Sequence, residues 1–380
     1  MKYIKTLGID LAKNVFQIHG ADGKGKCVER KRLTREKFID YMSNLPTCTV
    51  AMEACTGANH WARKFRAMGH TVKIISPHFV KPFVKSNKND RNDAEAIVEA
   101  ASRPQMRFVA IKELEQQDIQ TIHRVRELIV KQRSALANQI RGLLAEYGIT
   151  IAKGIGHIRK QLPNILSEEN KGLTARSREI FSEQLERFKS LDDQVDTYDK
   201  RLGTIAKQDE RCQRLMEIEG VGPLIATAAM STIGNAKVFK NGRELAAWLG
   251  LVPGQRSSGN KIHLVGISKR GDRYLRTLLI HGARAVVYTS PKHLDPRNQW
   301  IADKVKKKGS NKTAVAVANK NVRVIWALLT SGERYQKFKV GMRKYFSCAT
   351  SGKKEVNTPN CSAEESLHPA FAAQSSAIGI

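Results

Sequence analysis

No C-x-x-C pair joins the six cysteines, scattered at positions 27, 48, 55, 212, 348 and 361, which argues against a disulfide framework or a cysteine zinc site. No apolar run reaches the roughly 20 residues a membrane-spanning helix needs. The N-terminal M-K-Y-I-K-T-L-G-I-D is too short and too soon acidic for a signal peptide. The expectation is a soluble protein of a reducing cytoplasm, without a membrane partner. Acids are the other shortage: 36 Asp and Glu stand against 65 Lys and Arg, a formal net charge of +29. An excess of that size implies a polyanionic partner, a phosphate backbone first among them. The plain alternative is a binder of the ribosomal kind, or a merely solvated basic surface. With 41% hydrophobic residues, the 380-residue chain has material for the cores of two or three domains.

The few acids matter by where they stand. Asp10 in G-I-D-L-A-K and Glu53 in V-A-M-E-A-C-T-G each close a short apolar run that reads as a strand. Asp90 and Asp93 in N-D-R-N-D-A-E-A-I lie three residues apart, on one face of a helix predicted to begin near Asn89. Carboxylates brought together raise one another's pKa and are costly without divalent cations. With Mg²⁺, one or two ions, such a quartet is a site for in-line displacement at phosphorus. Singly, each acid also reads as a turn residue or a helix cap. Lys13 and Lys88 stand beside the acids and suit backbone phosphates, although a solvated lysine is the default for both.

The first hundred residues predict strands over 3–9, 15–19, 26–33, 47–53 and 71–76, with a helix capped by Thr34 and another closed by Gly69. A strand meander followed by alternating strands and helices argues for an α/β sheet with helices on its faces. Sites in such sheets sit at the carboxyl ends of strands, where Asp10 and Glu53 fall. Helical periodicity then runs from about 112 to 147 and from 175 to 206, on the order of 45–55 Å each at about 1.5 Å per residue. Two such helices joined by a Gly- and Pro-bearing loop predict an antiparallel arm, a spacer or dimerisation element.

Residues 215–234 carry an apolar helix, a G-V-G turn and a second helix starting at Pro223. Gly220 and Gly222 leave backbone N–H groups open for a phosphate, in the manner of a helix-hairpin-helix element; a plain helix turn is the alternative. Next comes L-G-L-V-P-G-Q-R-S-S-G-N-K, with I-S-K-R-G-D-R-Y-L-R close behind. It places Arg256, Lys261, Lys269, Arg270, Arg273 and Arg276 around Ser257 and Ser258 in what reads as a flexible basic loop. A serine there is far more often a phosphate ligand than a nucleophile. The lysine run K-V-K-K-K at 304–308 reads as a nucleic-acid-facing loop or a solvated charge run, backed by an apolar helix. Past 345 the chain is Ser- and Ala-rich without a helical stripe, and is expected to be mostly disordered.

The motifs G-I-D-L-A-K, E-A-C-T-G, N-D-R-N-D-A-E-A-I, G-V-G-P, L-G-L-V-P-G-Q-R-S-S-G-N-K and I-S-K-R-G-D-R-Y-L-R, in this order from about 5 to 345, resemble the DEDD transposases of bacterial insertion sequences. The family is insertion-sequence one-ten, in its one-one-one-one branch. The resemblance implies α/β plus α: a RuvC-like, ribonuclease-H-type catalytic domain over 1–110, a helical coiled-coil arm over 111–208, a mainly helical transposase domain over 209–345, and a tail over 346–380. It implies Asp10, Glu53, Asp90 and Asp93 as Mg²⁺ ligands, and Ser258 as a nucleophile forming a covalent serine–DNA intermediate, with Ser257 as second choice. It further implies donor and target DNA, an element-encoded bridge RNA and a dimer or tetramer, in a nucleoid-associated bacterial setting. Two rivals remain: a metal-dependent nuclease of the Holliday-junction kind, in which water attacks, and a non-catalytic nucleic-acid binder.

Overall fold

The computed structural model describes residues 3–85, 90–167, 172–259 and 261–336, with Asp90 and Arg91 described by backbone alone. The sheet uses β1 (Thr6–Asp10), β2 (Val15–Ala21), β3 (Cys27–Thr34), β4 (Thr49–Glu53), β5 (Thr71–Ile75) and β6 (Phe108–Val109) in the order β3-β2-β1-β4-β5-β6. β1, β4 and β5 run parallel, while β2, β3 and β6 are antiparallel to their neighbours. This is the predicted meander followed by alternating strands and helices, and Thr34 is the N-cap residue of its helix.

Alternation along the strands divides the two faces. Leu7 and Ile9 of β1, and Val50 and Met52 of β4, pack with Phe38 of α1 (Arg35–Asn44) and with Trp61 and Phe65 of α2 (Ala58–Ala67). Phe16 stacks on Phe38 with centroids 4.2 Å apart, and Trp61 meets both edge-on. The opposite face is covered by α3 (Pro77–Val80) and α4 (Asp90–Ser102), where Ile97, Ala100 and Ala101 pack on Ala51 and Ile75. Because side chains on a strand alternate, Gly8 and Asp10 on β1, with Ala51 and Glu53 on β4, belong to this second face.

The long helices are α5 (Leu114–Ala145) and α7 (Ala175–Gln208), with α6 (Ile155–Ser167) between them where a loop was predicted. Pro163 lies inside α6. An apolar face of Ile158, Leu162 and Ile165 docks α6 onto Leu136, Ile140 and Phe188, which outweighs the cost of an internal proline. Arg126 pairs with Asp199 and Arg133 with Asp192, both at 2.5 Å, so α5 and α7 run antiparallel. Arg159 of α6 joins Asp192 as well.

The remaining helices are α8 (Glu210–Met216), α9 (Pro223–Ile233), α10 (Gly242–Trp248), α11 (Arg273–Thr289), α12 (Pro296–Lys308) and α13 (Ser310–Ser331), gathered around one apolar core. α5 enters this core with a polar residue. His123 is 2% exposed, with Nδ1 3.0 Å from the Tyr274 hydroxyl and Nε2 3.0 Å from Thr227 Oγ1. Thr227 already donates to the Pro223 carbonyl, so its oxygen is left to accept from Nε2–H, and Nδ1 accepts from Tyr274. Burial, reinforced by Arg126 and Arg124, lowers the His123 pKa from 6.5 to about 4. Between these values the unfolded chain holds a proton that the folded one lacks. Stability is therefore fully present above about 6.5 and is lost as pH falls toward 4, by up to roughly 3 kcal/mol. A thermal melt series from pH 7 to pH 4 is expected to show this fall, and His123→Gln to flatten it. An identical profile in the variant would contradict the assignment.

Candidate active site

Asp10 and Glu53 are the last residues of two adjacent parallel strands. Ile9 pairs with Met52, so the two acids stand side by side at the carboxyl edge of the sheet. Neighbouring strands lie about 5 Å apart in the hydrogen-bonding direction. Cys55 senses both: partial burial pushes its thiol pKa up, and the carboxylates of Glu53 and Asp10 push it further.

The helix that carries the other acids is held down on the same face by a glycine. A Cβ on Gly8 would sit 2.6 Å from Val98 Cγ2 and nearer still to the Ala94 carbonyl, so only glycine lets α4 approach β1 this closely. Asp93 immediately precedes Ala94 and is partly buried; Asp90 opens α4 one turn earlier. Gly8 is two residues from Asp10 on the same side of β1. The fold thus joins Asp10 to Glu53 and brings the start of α4 to their face. Among the described residues no three His, Cys, Asp or Glu side chains close a metal site, and the Asp90 side chain lies outside them. The paired carboxylates are hard oxygen donors of the kind Mg²⁺ prefers. Lys13 is exposed, and its carbonyl accepts from Arg35. Lys88 lies outside the described residues.

The serine segment is not the loose loop read from its composition. β7 (Pro253–Gln255) and β8 (Leu264–Ile267) form a two-stranded hairpin, extended by the Arg256 N–H donating to the His263 carbonyl and by a bridge between Ser258 and Lys261. The two serines differ. Ser257 Oγ accepts from Gln255 Nε2 at 2.8 Å and from the His263 N–H at 3.2 Å. Ser258 is exposed, and its backbone carbonyl accepts from Lys261 while its hydroxyl has no hydrogen bond to the described residues. One serine braces the hairpin, and the other is exposed with no hydroxyl partner among the described residues. The missed signal was the apolar run I-H-L-V-G-I just beyond S-G-N-K.

Arg256, Lys261, Lys269, Arg270 and Arg273 are all exposed around this hairpin. Lys269 has φ +55°, the one positive value at a non-glycine among the described residues. Its N–H donates to the Gly250 carbonyl. Arg276 corrects the sequence reading. It is 7% exposed, and its Nη1 donates to the carbonyls of Leu249 and Arg270, so it stitches the loop instead of meeting a phosphate. The space at Gly220 has a separate demand on it: at φ +83° a Cβ there would lie 2.6 Å from Val286 Cγ2 and 2.8 Å from the Gly282 carbonyl, so glycine is required for close packing against α11 whatever its backbone N–H meets. Gly222 faces open space as the N-cap of α9. The run at 304–308 is the last turn of α12, not a loop, where lysines complement the helix dipole.

Comparison with known proteins matches residues 7–149 to the DEDD_Tnp_IS110 transposase family and residues 212–298 to the transposase IS116/IS110/IS902 family. The transposase for insertion sequence element IS1111A of Coxiella burnetii is 48% identical over 336 residues, covering 88% of this chain and 92% of that protein. The chain belongs to the IS110 transposase family. A probable family 20 transposase of Pseudomonas aeruginosa is 46% identical, over 88% of this chain and 99% of the relative. The transposase for insertion sequence element IS1328 of Yersinia enterocolitica is 38% identical, over 89% and 100%. This transposase is therefore an enzyme of DNA cleavage and transfer. Among its described residues, no helix is long and apolar enough to cross a membrane.

Proposed function

We propose that this transposase cuts and rejoins DNA through a covalent intermediate on Ser258, at a centre completed by Asp10, Glu53, Asp90 and Asp93. The observation that carries the reading is the side-by-side placement of Asp10 and Glu53, on the face that α4 covers. The sheet order, with a meander at one edge and an acid-bearing helix across it, supports a RuvC-like domain of the ribonuclease-H type over 1–110. The antiparallel α5 and α7 support an arm over 111–208, and the helices around the serine hairpin support a transposase domain over 209–345. The proposed tail, 346–380, lies outside the described residues.

In the cleavage step, Ser258 Oγ forms a bond to the scissile phosphorus as the bond from phosphorus to the leaving sugar oxygen breaks. The hydroxyl proton passes to solvent and the leaving oxygen gains one. Rejoining reverses the exchange with another strand's hydroxyl, so the phosphodiester energy is conserved. Asp10, Glu53, Asp90 and Asp93 would hold Mg²⁺, which would supply charge neutralisation on the phosphoryl oxygens and activation of a hydroxyl that is a weak nucleophile on its own. Arg256 and Lys261, exposed on the hairpin, neutralise the flanking phosphates. The serine and the acids lie in the two separately matched segments, which supports a composite centre shared between protomers of a dimer or tetramer. Choice of donor and target falls to pairing with a bridge RNA, a reading that rests on the family resemblance.

The test is an excision assay on a plasmid carrying the element, with purified protein. Junction products are expected only when both the element-encoded RNA and Mg²⁺ are supplied. Products formed at the same site without the RNA would overturn the guided reading, and products formed in chelator would overturn the metal.

A further inference from the structure

The C-terminal helices carry a charge imbalance that the serine hairpin does not account for. From Lys269 to Arg323 the chain has fourteen Lys and Arg against three acids, Asp272, Asp295 and Asp303. Two of those acids are occupied as helix caps. Asp272 accepts from the Leu275 N–H, and Asp295 accepts from the N–H groups of Arg297 and Asn298. Within this field one aromatic residue gathers two cations. Lys304 Nζ lies 5.2 Å and Lys320 Nζ 4.1 Å from the centre of the Trp300 ring. Trp300 and Lys304 belong to α12 and Lys320 to α13, so packing of the two helices assembles the group.

Neither lysine has a carboxylate partner among the described residues. The charges acting on Lys320 are Arg297, Arg323 and Lys304, all positive; with burial, the largest cause, they lower its pKa. Of these, Arg297 is occupied with Glu219 and Asn321. Two ammonium groups held against one indole, with no carboxylate beside them among the described residues, repel each other, and the indole face compensates by only about 0.5–2 kcal/mol per cation. The group also has a defined relation to the serine hairpin. Asn319, the neighbour of Lys320, donates from Nδ2 to the Leu251 carbonyl at 3.2 Å, two residues before β7 begins. α13 is thereby tied to the foot of the hairpin.

We infer that Trp300, Lys304 and Lys320 form a phosphate-binding subsite that grips a nucleic-acid backbone beside the serine hairpin. A phosphodiester supplies the missing anion, and the indole fixes both lysines before it arrives, so little side-chain freedom is lost on binding. The ligand chemistry is a phosphodiester, from DNA or from RNA. The subsite rests on the reading of the chain as a nucleic-acid enzyme, and it adds a contact outside the hairpin's own basic residues.

The test measures binding of the full-length protein to three fluorescent probes: a DNA duplex, single-stranded DNA and an RNA stem-loop, each across a salt series. Lys304→Gln combined with Lys320→Gln is expected to weaken binding and to lower the slope of log affinity against log salt by about 1.8 for a duplex, or about 1.4 for a single strand. The matched Arg pair is expected to keep the slope. The probe whose slope drops identifies the strand held there. Trp300 gives an independent readout: saturating probe should change the protein's tryptophan emission, and the change should be absent in Trp300→Phe. An unchanged slope in the Gln pair, with the emission change surviving Trp300→Phe, would overturn the subsite while leaving the nucleic-acid reading intact. Failure of the wild type to bind any probe would overturn that reading itself. A lowered melting temperature with an unchanged slope would reduce the lysines to packing and would also overturn the proposal.

Discussion

Ser258→Ala is expected to lower DNA strand exchange by at least roughly 10³-fold, the scale on which loss of a covalent nucleophile is felt. Ser257→Ala should stay within about 30-fold of wild type, because the loss of two ordinary hydrogen bonds costs about 1 kcal/mol each. The difference follows from the hairpin. Ser257 Oγ already accepts from Gln255 Nε2 and from the His263 N–H, and attack on phosphorus would have to break that bracing. Ser258 stands one residue on, exposed; its carbonyl accepts from Lys261, and its hydroxyl has no partner among the described residues. Excision products quantified over time for the two variants decide the matter. Equal losses would show that both serines serve the hairpin, and a loss confined to Ser257 would reverse the assignment.

The second large effect separates charge from placement at the acid edge. Asp10→Asn should lower metal-dependent cleavage by roughly 10²–10³-fold, because one ligand charge is lost at a centre built on electrostatic stabilisation. Its melting temperature should change little, since Asn keeps the size and shape of the side chain. Gly8→Ala keeps every acid and should still be nearly as damaging. The new methyl overlaps Val98 and the Ala94 carbonyl, so α4 must shift and take Asp90 and Asp93 with it. Strain of that kind costs about 1–3 kcal/mol, visible as a lower melting temperature. Nicking assays in Mg²⁺ alongside thermal melts distinguish the two variants. If Gly8→Ala keeps both activity and melting temperature, the close seat of α4 on β1 has no part in the chemistry.

What could be read from the sequence divides along physical lines. Period-two apolar runs fixed the strands, and the acids at their ends declared themselves because Asp10 and Glu53 interrupt apolar sequence. The long helices were legible from their uninterrupted period, but α6 was hidden by Gly156 and Pro163 within it. Arg276 was misread because a cation in a basic stretch looks the same whether it meets a phosphate or two carbonyls; only burial tells them apart. The packing role of Gly220 was hidden for a similar reason, since a glycine needed for close helix approach and one needed for an open backbone carry the same letter. The difference between Ser257 and Ser258 lies in hydrogen bonds across the hairpin, which no spacing rule contains. His123 and the Trp300 group depend on contacts more than a hundred residues apart or between separate helices.

The central claim is that one serine on the hairpin and the acid edge of the sheet act on the same phosphate. The most direct measurement traps the intermediate. Protein, RNA, Mg²⁺ and donor DNA are mixed, denatured and digested with nuclease and trypsin, and the peptides are weighed. Cleavage after Arg256 and Lys261 releases Ser257–Lys261, and the nucleotide mass is expected on that peptide, with fragmentation assigning it to Ser258. The adduct should disappear in Ser258→Ala and in Asp10→Asn, and persist in Ser257→Ala. Metal-dependent cleavage with no adduct on any peptide, surviving Ser258→Ala, would contradict the account and leave water as the nucleophile.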